Sequence, residues 1–565
     1  MISKIKNWWP ALFCILAYYV IVASAIYISS RTTSGRLIYP LDDTYIHMSI
    51  AKNFAEHGVW GFTRYSFSSS TSSPLYTAIL AGGYFIIGNN EWMPLAFNLI
   101  FGTIFIVYIF IFLRETASHV IVFLFLLFII FVTSIPALTL LGMEHLLHAV
   151  LTFGFVSLGA TALAGQGCRS RSNTMMLLLL AVLLPLARYE GCFAVAAVSG
   201  FLFLQKRYRL AIGIALAGAL PLLIYGYICH LQHWLFLPNS VYLKGNRFNF
   251  SSLSSILDAL GLYAVSTMSH QPVLILLFIL ALMTCLYSER KSTSDGMNKT
   301  WWMSVIFLCI MFAHLQTASL GWLYRYESYL VSVGLTITLS TYWQLISSSS
   351  PERKPSGLLR VPFLVPLVGL TVLSFPFVNR GAKALAYTTM AMNDRYLEHI
   401  QPARFLSKYY PKAKVVINDI GIAAYFTDCR LFDIYGLGNM EPVRYRASTT
   451  GYKKKEVAEW IASENAEIAL LQIHWSEVSD RIPDSWVKVA EWRIPRNVVF
   501  NDLDIGWYAI NNEAVNTLAS DLRAFRSSLP KDITVKMMIN PPDKNSAQDA
   551  DSDLMIDKGF SAVKK

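Results

Sequence analysis

Apolar residues come in long blocks along this chain, without the polar face that a soluble amphipathic helix would show. Such blocks run near 9–28, 94–113, 118–137, 145–164, 174–187, 192–205, 209–230, 270–288, 301–318, 327–346 and 360–378. Most approach the roughly 20 residues that a helix needs to cross a bilayer, which predicts eleven spans, with the two around Glu190 short. The first follows Lys4 and Lys6 and contains "ASA" at 23–25, but it is too long for a signal-peptide core and is expected to stay as an uncleaved helix. The segment "SPLYTAILAGGYFIIG" (73–88) is shorter, and charge decides its place. If it does not cross, Arg114, "CRSRS" (168–172), "KRYR" (206–209), "ERKSTSDGMNK" (289–299) and "PERKPSGLLR" (351–360) all fall on the side of the N-terminus, as the positive-inside rule asks. It is therefore expected to be a juxtamembrane helix. The N-terminus is then cytoplasmic and everything after about residue 379 is extracytoplasmic.

Past that point the pattern changes. In "ARFLSKYYPKAKVVINDIGIAAYFTDCRLFDIYGLGN" (403–439), β-branched runs at 414–417 and 431–434 alternate with helix-like stretches, which predicts a small α/β domain. After about Asn512 the chain turns to Ser, Asp, Lys and Pro, and a poorly ordered tail is expected. The expected division is 1–379 in the membrane, 380–511 as the outer domain and 512–565 as the tail.

Composition agrees with this reading. Of 565 residues, 54% are hydrophobic and 15% charged, which excludes a disordered chain. The net charge of +11 is spread over short clusters between apolar blocks, so it marks topology and no nucleic-acid partner is expected. Six of the seven cysteines lie in or beside apolar segments without CxxC spacing, and Cys429 has no partner in the outer domain, so neither a disulfide framework nor a thiolate metal site is indicated.

With that topology the unusual polar motifs share one side: "LDDTYIH" (41–47), "SSSTSSPLY" (68–76), "GMEHLLH" (142–148), "ARYEG" (187–191), "LPNSVYLKG" (237–245) and "GWLYRYES" (321–328). Charges beside membrane helices are costly and usually face a cavity or a partner. Asp42 or Asp43 is a ready N-cap for the helix predicted to end at Gly58, but a cap accounts for only one of them. Asp43 and His47 lie four apart on one helix face. Glu144 and His148 share a face too, a spacing open to metal but equally to a first-turn carboxylate on the helix dipole. Arg188 and Glu190 read as an ion pair. Lys244, Arg247 and Arg325, with aromatic neighbours Tyr242, Tyr324 and Tyr326, are cations at a height that suits a lipid phosphate or headgroups. No nucleotide cradle of the GxGxxG or GxxxxGK[ST] type occurs. Asp419, Asp428 and Asp433 have the ordinary spacing of structural acids.

Together and in order, "LDDTYIHMSIAKNFAEHGVWGF…SSSTSSPLYTAIL", "GMEHLLHAVL", "LARYEG", "LPNSVYLKG" and "RYESYL" resemble the bacterial branch of the GT-C glycosyltransferase superfamily. The nearest likeness is to membrane transferases similar to the mycobacterial terminal arabinofuranosyltransferase, with aminoarabinose and protein mannosyltransferases as more distant relatives. The resemblance covers most of 1–440. It implies a polytopic α-helical GT-C-like membrane protein with about 11 transmembrane helices, juxtamembrane helices in the first outer loop and a C-terminal extracytoplasmic α/β domain. It also implies an inverting transferase of the cell (inner) membrane that takes a sugar from a polyprenyl-phosphate donor and passes it to a cell-envelope glycan or glycolipid. By that likeness Asp42 or Asp43 is the general base, while His47, Glu144, Arg188, Glu190, Asn239, Tyr242, Lys244, Arg325 and Tyr326 bind substrate, with Lys244 and Arg325 on the phosphate. No cofactor and no metal site are expected. Ser49 and Tyr189 depart from the likeness, since similar sequences often carry Arg and Pro there. The alternatives are an exporter of lipid-linked sugars and a non-catalytic envelope-assembly protein on the same scaffold.

Overall fold

Each of the eleven apolar blocks coincides with a helix in the computed structural model, which describes residues 8–165, 170–244, 272–290, 299–347, 361–447, 452–500 and 502–539. Among these residues, five helices are long and apolar enough to cross a membrane: Trp9–Ser30, Met93–Leu113, His145–Leu163, Tyr208–Leu231 and Lys299–Thr317. A sixth span forms if His119–Val132 and Ile135–Leu141, bent by 42°, are taken together. This count goes by length and composition of the described residues alone, where all eleven blocks are helical. Arg171–Ala187 and Gly191–Leu204 are short because the chain turns inward at Arg188–Glu190. In Ser328–Ser347 the hydroxyls of Thr336, Thr338 and Thr341 donate to carbonyls four residues back at 2.7–3.0 Å, which satisfies them within the helix.

The segment 73–88 forms the helix Pro74–Ile87, too short to span, with Ser73 accepting from the Tyr76 amide at its start. Its apolar end is bare: Phe85, Ile86 and Ile87 are 71–81% exposed, as suits a helix dipping into the membrane interface. The acidic motif opens the neighbouring helix Asp42–His57, which ends on Gly58 at φ +68°. Leu41 is its N-cap, so neither aspartate caps its own helix.

The C-terminal sheet has six strands, β1 (Lys414–Ile417), β2 (Arg430–Asp433), β3 (Ile468–Gln472), β4 (Val487–Arg493), β5 (Asp504–Ala509) and β6 (Thr534–Met537), in the order β2-β1-β3-β5-β4-β6. The β1 pairings are parallel and the others antiparallel. Strand alternation splits the core. Val415 and Ile417 join the cluster continuous with the membrane helices, while Val416 packs with Val457, Trp460 and Ile461 of the helix Lys454–Glu464 on the other face. The expected tail from 512 is corrected. Helix Asn512–Arg526 buries Leu518, Leu522 and Phe525, the last stacked on Trp492 at 6.1 Å, and β6 then closes the sheet edge. Its charged residues occupy one side of an amphipathic helix, which mean composition does not reveal. Residues 540–565 lie outside the described residues. The expected boundary at 379/380 falls inside the helix Val361–Arg395, which runs on through a π-helical turn at Tyr396–Ile400 into Gln401–Tyr409.

A polar joint ties the sheet to the helix Asp42–His57. Asp42 Oδ2 and Oδ1 accept from the backbone amides of Gly421 and Ile422 at 2.6 and 2.8 Å, at the start of helix Gly421–Phe426. Any side chain at 421 would collide, because a Cβ there would lie 2.2 Å from the Asp42 carbonyl oxygen. Behind the joint, His399 contacts Asp419 at 2.9 Å and Glu398 at 3.3 Å, and Arg395 pairs with Glu398 at 2.7 Å. Burial, then the Asp419 charge, pushes Asp42 up to about 7. Burial works against a charged His399, but Glu398 and Asp419 outweigh it and raise it to about 9. Burial likewise opposes ionised Glu398, but Arg395 and His399 hold it down at about 2.

The two upward shifts mean that the folded joint binds protons more tightly than the unfolded chain does. The His399 contribution is complete below about pH 6.5 and is lost as pH rises through its folded value. That of Asp42 fades between about 4 and 7, while Glu398 acts in the opposite sense only in more acidic solution. Thermal unfolding followed by tryptophan fluorescence is expected to move to lower temperature as pH rises from about 6 to about 9.5, and His399→Gln to flatten that slope. A wild-type transition that does not respond to pH would contradict the linkage.

Candidate active site at the membrane surface

A cavity of about 470 Å³ opens among helix ends on the side of the bundle that faces the sheet domain. Asp43, His47, Arg188, Glu190, Tyr242, Arg325 and Tyr326 line it, so seven of the eleven residues singled out in the sequence converge on one space. Its floor is a tight ionic network. Arg188 bonds Glu190 through Nη2 at 2.7 Å and Nε at 3.2 Å, and Glu144 through Nη1 at 2.7 Å. Glu144 also accepts from Ser72 at 3.0 Å and lies 3.3 Å from His47 Nε2, while His47 Nδ1 meets Thr77 at 2.8 Å. Burial opposes ionisation of both acids. Around Glu144 the neighbouring His145, His47 and Arg188 outweigh it and hold the carboxyl well below its usual range, and Arg188 brings Glu190 down to about 2. Both acids therefore stay charged and serve to fix Arg188 and His47, and neither is a proton carrier near neutral pH.

The Glu144–His148 spacing gathers no metal-ligand group, because Arg188, Ser72 and His47 engage the Glu144 carboxylate. Among the described residues the one group with suitable ligand atoms is His474, Asp502 and Asp504 in the outer domain. There both Asp502 oxygens are occupied by the backbone amides of His474 and Asp504 at 2.7 and 3.0 Å, so the set does not fit an ion well.

Arg325 is positioned by backbone strain. Trp322, Leu323 and Tyr324 all have left-handed φ of 49–59° after Gly321 at +80°, and the Arg325 amide closes the turn on the Gly321 carbonyl at 3.2 Å. Each non-glycine residue there costs about 1–2 kcal/mol. A clamp holds the turn: Glu327 accepts from the Gly321 amide at 2.9 Å and from Arg380 at 3.1 Å, and Arg380 also donates to the Tyr324 carbonyl at 2.7 Å. The result is a buried guanidinium whose Nη2 reaches Asp43 at 2.5 Å and the Tyr326 hydroxyl at 2.9 Å. The Tyr326 ring faces both Arg325, at 4.7 Å, and Arg188, at 5.5 Å.

The adjacent aspartates are unequal. Asp42 is buried and spent on the joint, whereas Asp43 is 22% exposed and faces two spaces. A second cavity of about 680 Å³ lies between the outer domain and the membrane helices, and Asp43 is the one acid that lines both cavities among the described residues.

The remaining candidates lie elsewhere. Glu144 stands behind the cavity wall. Asn239 is not a cavity residue: its amide group donates to the carbonyls of Gly436 and Asn439 at 2.8 and 3.3 Å, which ties an outer loop to the sheet domain. The Lys244 side chain and Arg247 lie outside the described residues. Ser49 is buried against the Gly421 carbonyl and not on the cavity, so its departure from the likeness removes no cation from the site. Sequence reasoning missed Ser72, Glu327, Arg380, Arg395 and the aromatic residues of the second cavity. A glycine followed by a Trp, Arg and Glu cluster at 321–327 was the available sign of a special turn.

A domain family of unknown function (DUF8728) matches residues 389–511. No curated protein matches by sequence. Among solved structures, apo ArnT from Cupriavidus metallidurans aligns at 12% identity over 88% of this chain and 98% of its own, with a TM-score of 0.50. The same protein bound to undecaprenyl phosphate aligns at 12% identity over 88% and 98%, with a TM-score of 0.48. The Archaeoglobus fulgidus oligosaccharyltransferase in its apo form aligns at 12% over 90% and 78%, with a TM-score of 0.45. With its multi-pass helices, juxtamembrane acidic helix and C-terminal sheet domain, and with the ArnT alignment over nearly all of that structure, the chain is a membrane protein of the GT-C fold.

Proposed function

We propose that this protein is an inverting glycosyltransferase that moves a sugar from a polyprenyl phosphate to a cell-envelope glycan or glycolipid at the outer face of the cytoplasmic membrane. The observation that carries this reading is the position of Asp43, with a cavity on either side and a buried guanidinium against it. In this reading the first cavity takes the donor's sugar and phosphate and the second takes the acceptor. The basic inner loops orient the chain with its N-terminus in the cytoplasm and the sheet domain outside.

The chemistry follows from charge. Asp43 withdraws the proton of the acceptor hydroxyl, the acceptor oxygen attacks the anomeric carbon from the face opposite the phosphate, and the C–O bond to phosphate breaks with its electron pair on the leaving oxygen. Arg325 neutralises that charge, in a setting where burial strengthens the interaction. One carboxylate suffices, because direct displacement needs a base and no protein nucleophile. Without donor, Arg325 pairs with Asp43. An arriving phosphate competes for the guanidinium and frees the carboxylate for the acceptor hydroxyl.

Asp43→Asn is expected to lower sugar transfer from a radiolabelled polyprenyl-phosphate donor by about 100-fold or more, with normal membrane insertion. Asp42→Asn should leave residual transfer but lower the unfolding temperature, since an amide nitrogen cannot accept from the Gly421 or Ile422 amide. Full activity in Asp43→Asn would remove the base from this scheme. Arg325→Gln is expected to cut turnover at saturating donor, and Glu327→Ala to do so more mildly while destabilising the protein, because it releases the left-handed turn. Unchanged turnover in Arg325→Gln would rule out its role on the leaving group.

A further inference from the structure

The second cavity has a chemistry of its own. A row of aromatic rings runs along it. Tyr435 and Trp475 have centroids 4.6 Å apart, Trp475 and Phe500 5.7 Å, and Phe500 and Trp322 5.2 Å. Three of these rings belong to the outer domain and the fourth to the strained turn before Arg325, so the row bridges the two parts of the chain. Trp322 is 42% exposed, so part of its ring is open to a ligand in the cavity. The polar lining is acidic: Asp42, Asp43, Asp419 and Asp502 are set against Arg395, which Glu398 and Asp419 already engage, and His474, which faces Asp504.

We infer that this cavity is the acceptor site and that it selects an uncharged, hydroxyl-rich oligosaccharide over a phosphorylated or uronic acid-bearing one. The inference rests on the transferase reading above and adds to it the class of acceptor. Pyranose and furanose rings carry C–H faces that pack against aromatic planes, and their rims carry hydroxyls that donate to carboxylates. A row of four rings offers successive platforms along a chain of sugars. An anionic acceptor would meet a lining with more carboxylates than cations, and like charge of that kind disfavours the wrong partner. The volume lies within the range of about 300–1,000 Å³ found for small-ligand sites. Tyr326 and Asp43 line this cavity as well as the donor cavity, so a sugar held on the row shares its space with the base. The sheet domain is then the part of the chain that reads the acceptor, and the membrane helices read the donor.

The test uses the full-length protein in lipid nanodiscs and saturation-transfer NMR with defined probes: gluco-, manno-, galacto- and arabino-trisaccharides as neutral members, a glucuronate-containing tetrasaccharide and mannose 6-phosphate as anionic ones. At least one neutral member should receive saturation from the wild-type protein and the anionic probes should not. Trp475→Ala and, at the exposed position, Trp322→Ala should each reduce that signal at least fivefold, whereas Trp475→Phe, which keeps a ring, should retain most of it. Silence from every neutral probe, preference for an anionic probe, or Ala variants with wild-type signals would overturn the inference. Activity separates this from the parent reading. If the transferase reading alone is wrong, the wild-type protein moves no sugar from a polyprenyl-phosphate donor while neutral sugars still bind. If the acceptor inference alone is wrong, Asp43→Asn abolishes transfer while Trp475→Ala leaves the acceptor KM unchanged.

Discussion

Two hydrogen bonds from the amides of Gly421 and Ile422 to the Asp42 carboxylate hold the outer domain against the helix that carries Asp43. Two acceptor oxygens meet two amides that a helix start leaves without intrahelical partners, which satisfies both elements at once. The fit depends on glycine at 421, since the Asp42 carbonyl would lie 2.2 Å from any Cβ. Because the joint falls on the residue before Asp43, it also sets where Asp43 points and so where the two cavities meet. The sheet domain is thereby built into the site.

Around this joint the charges divide into two kinds. Glu144, Glu190, Arg188 and His47 form a closed network in which nearly every polar atom is answered, and such buried networks chiefly fix geometry. The Asp43–Arg325 pair is different. Its carboxylate lines both cavities and its cation the first, the cation is delivered by a strained turn, and the Arg325 Nε is buried without a hydrogen-bond partner among the described residues. Strain of this kind persists only where surrounding contacts over-determine it, here Glu327 and Arg380. An ion pair that an anionic ligand can open is suited to chemistry, whereas a closed network is suited to support.

Much of this was legible in the chain. The apolar blocks located the helices, and the segment 73–88, set apart from them by the loop charges, forms a helix too short to span. The six polar motifs did supply the walls of one cavity, since each sits at a helix end and helix ends on one side of a bundle are brought together by packing. Other features were misjudged for identifiable reasons. Asn239 has the look of a site residue, but its amide joins two loops. The helix Asn512–Arg526 was hidden because charge and Ser content alone do not separate an amphipathic helix from a tail. Asp419 read as an ordinary structural acid and Arg395 gave no signal until the fold brought both beside Asp42.

The sequence by itself determined the class of molecule, a helical membrane protein with an acidic motif after its first helix and a small α/β domain, because hydrophobic block length and strand alternation are local properties of the chain. It also determined that Asp42 and Asp43 were unequal candidates, since adjacent residues on a helix cannot both face one point. Only the tertiary structure decided which was which. Asp42 is taken by amides some 380 positions away in the chain and Asp43 by a guanidinium some 280 positions away, and no local pattern encodes a contact across such a separation.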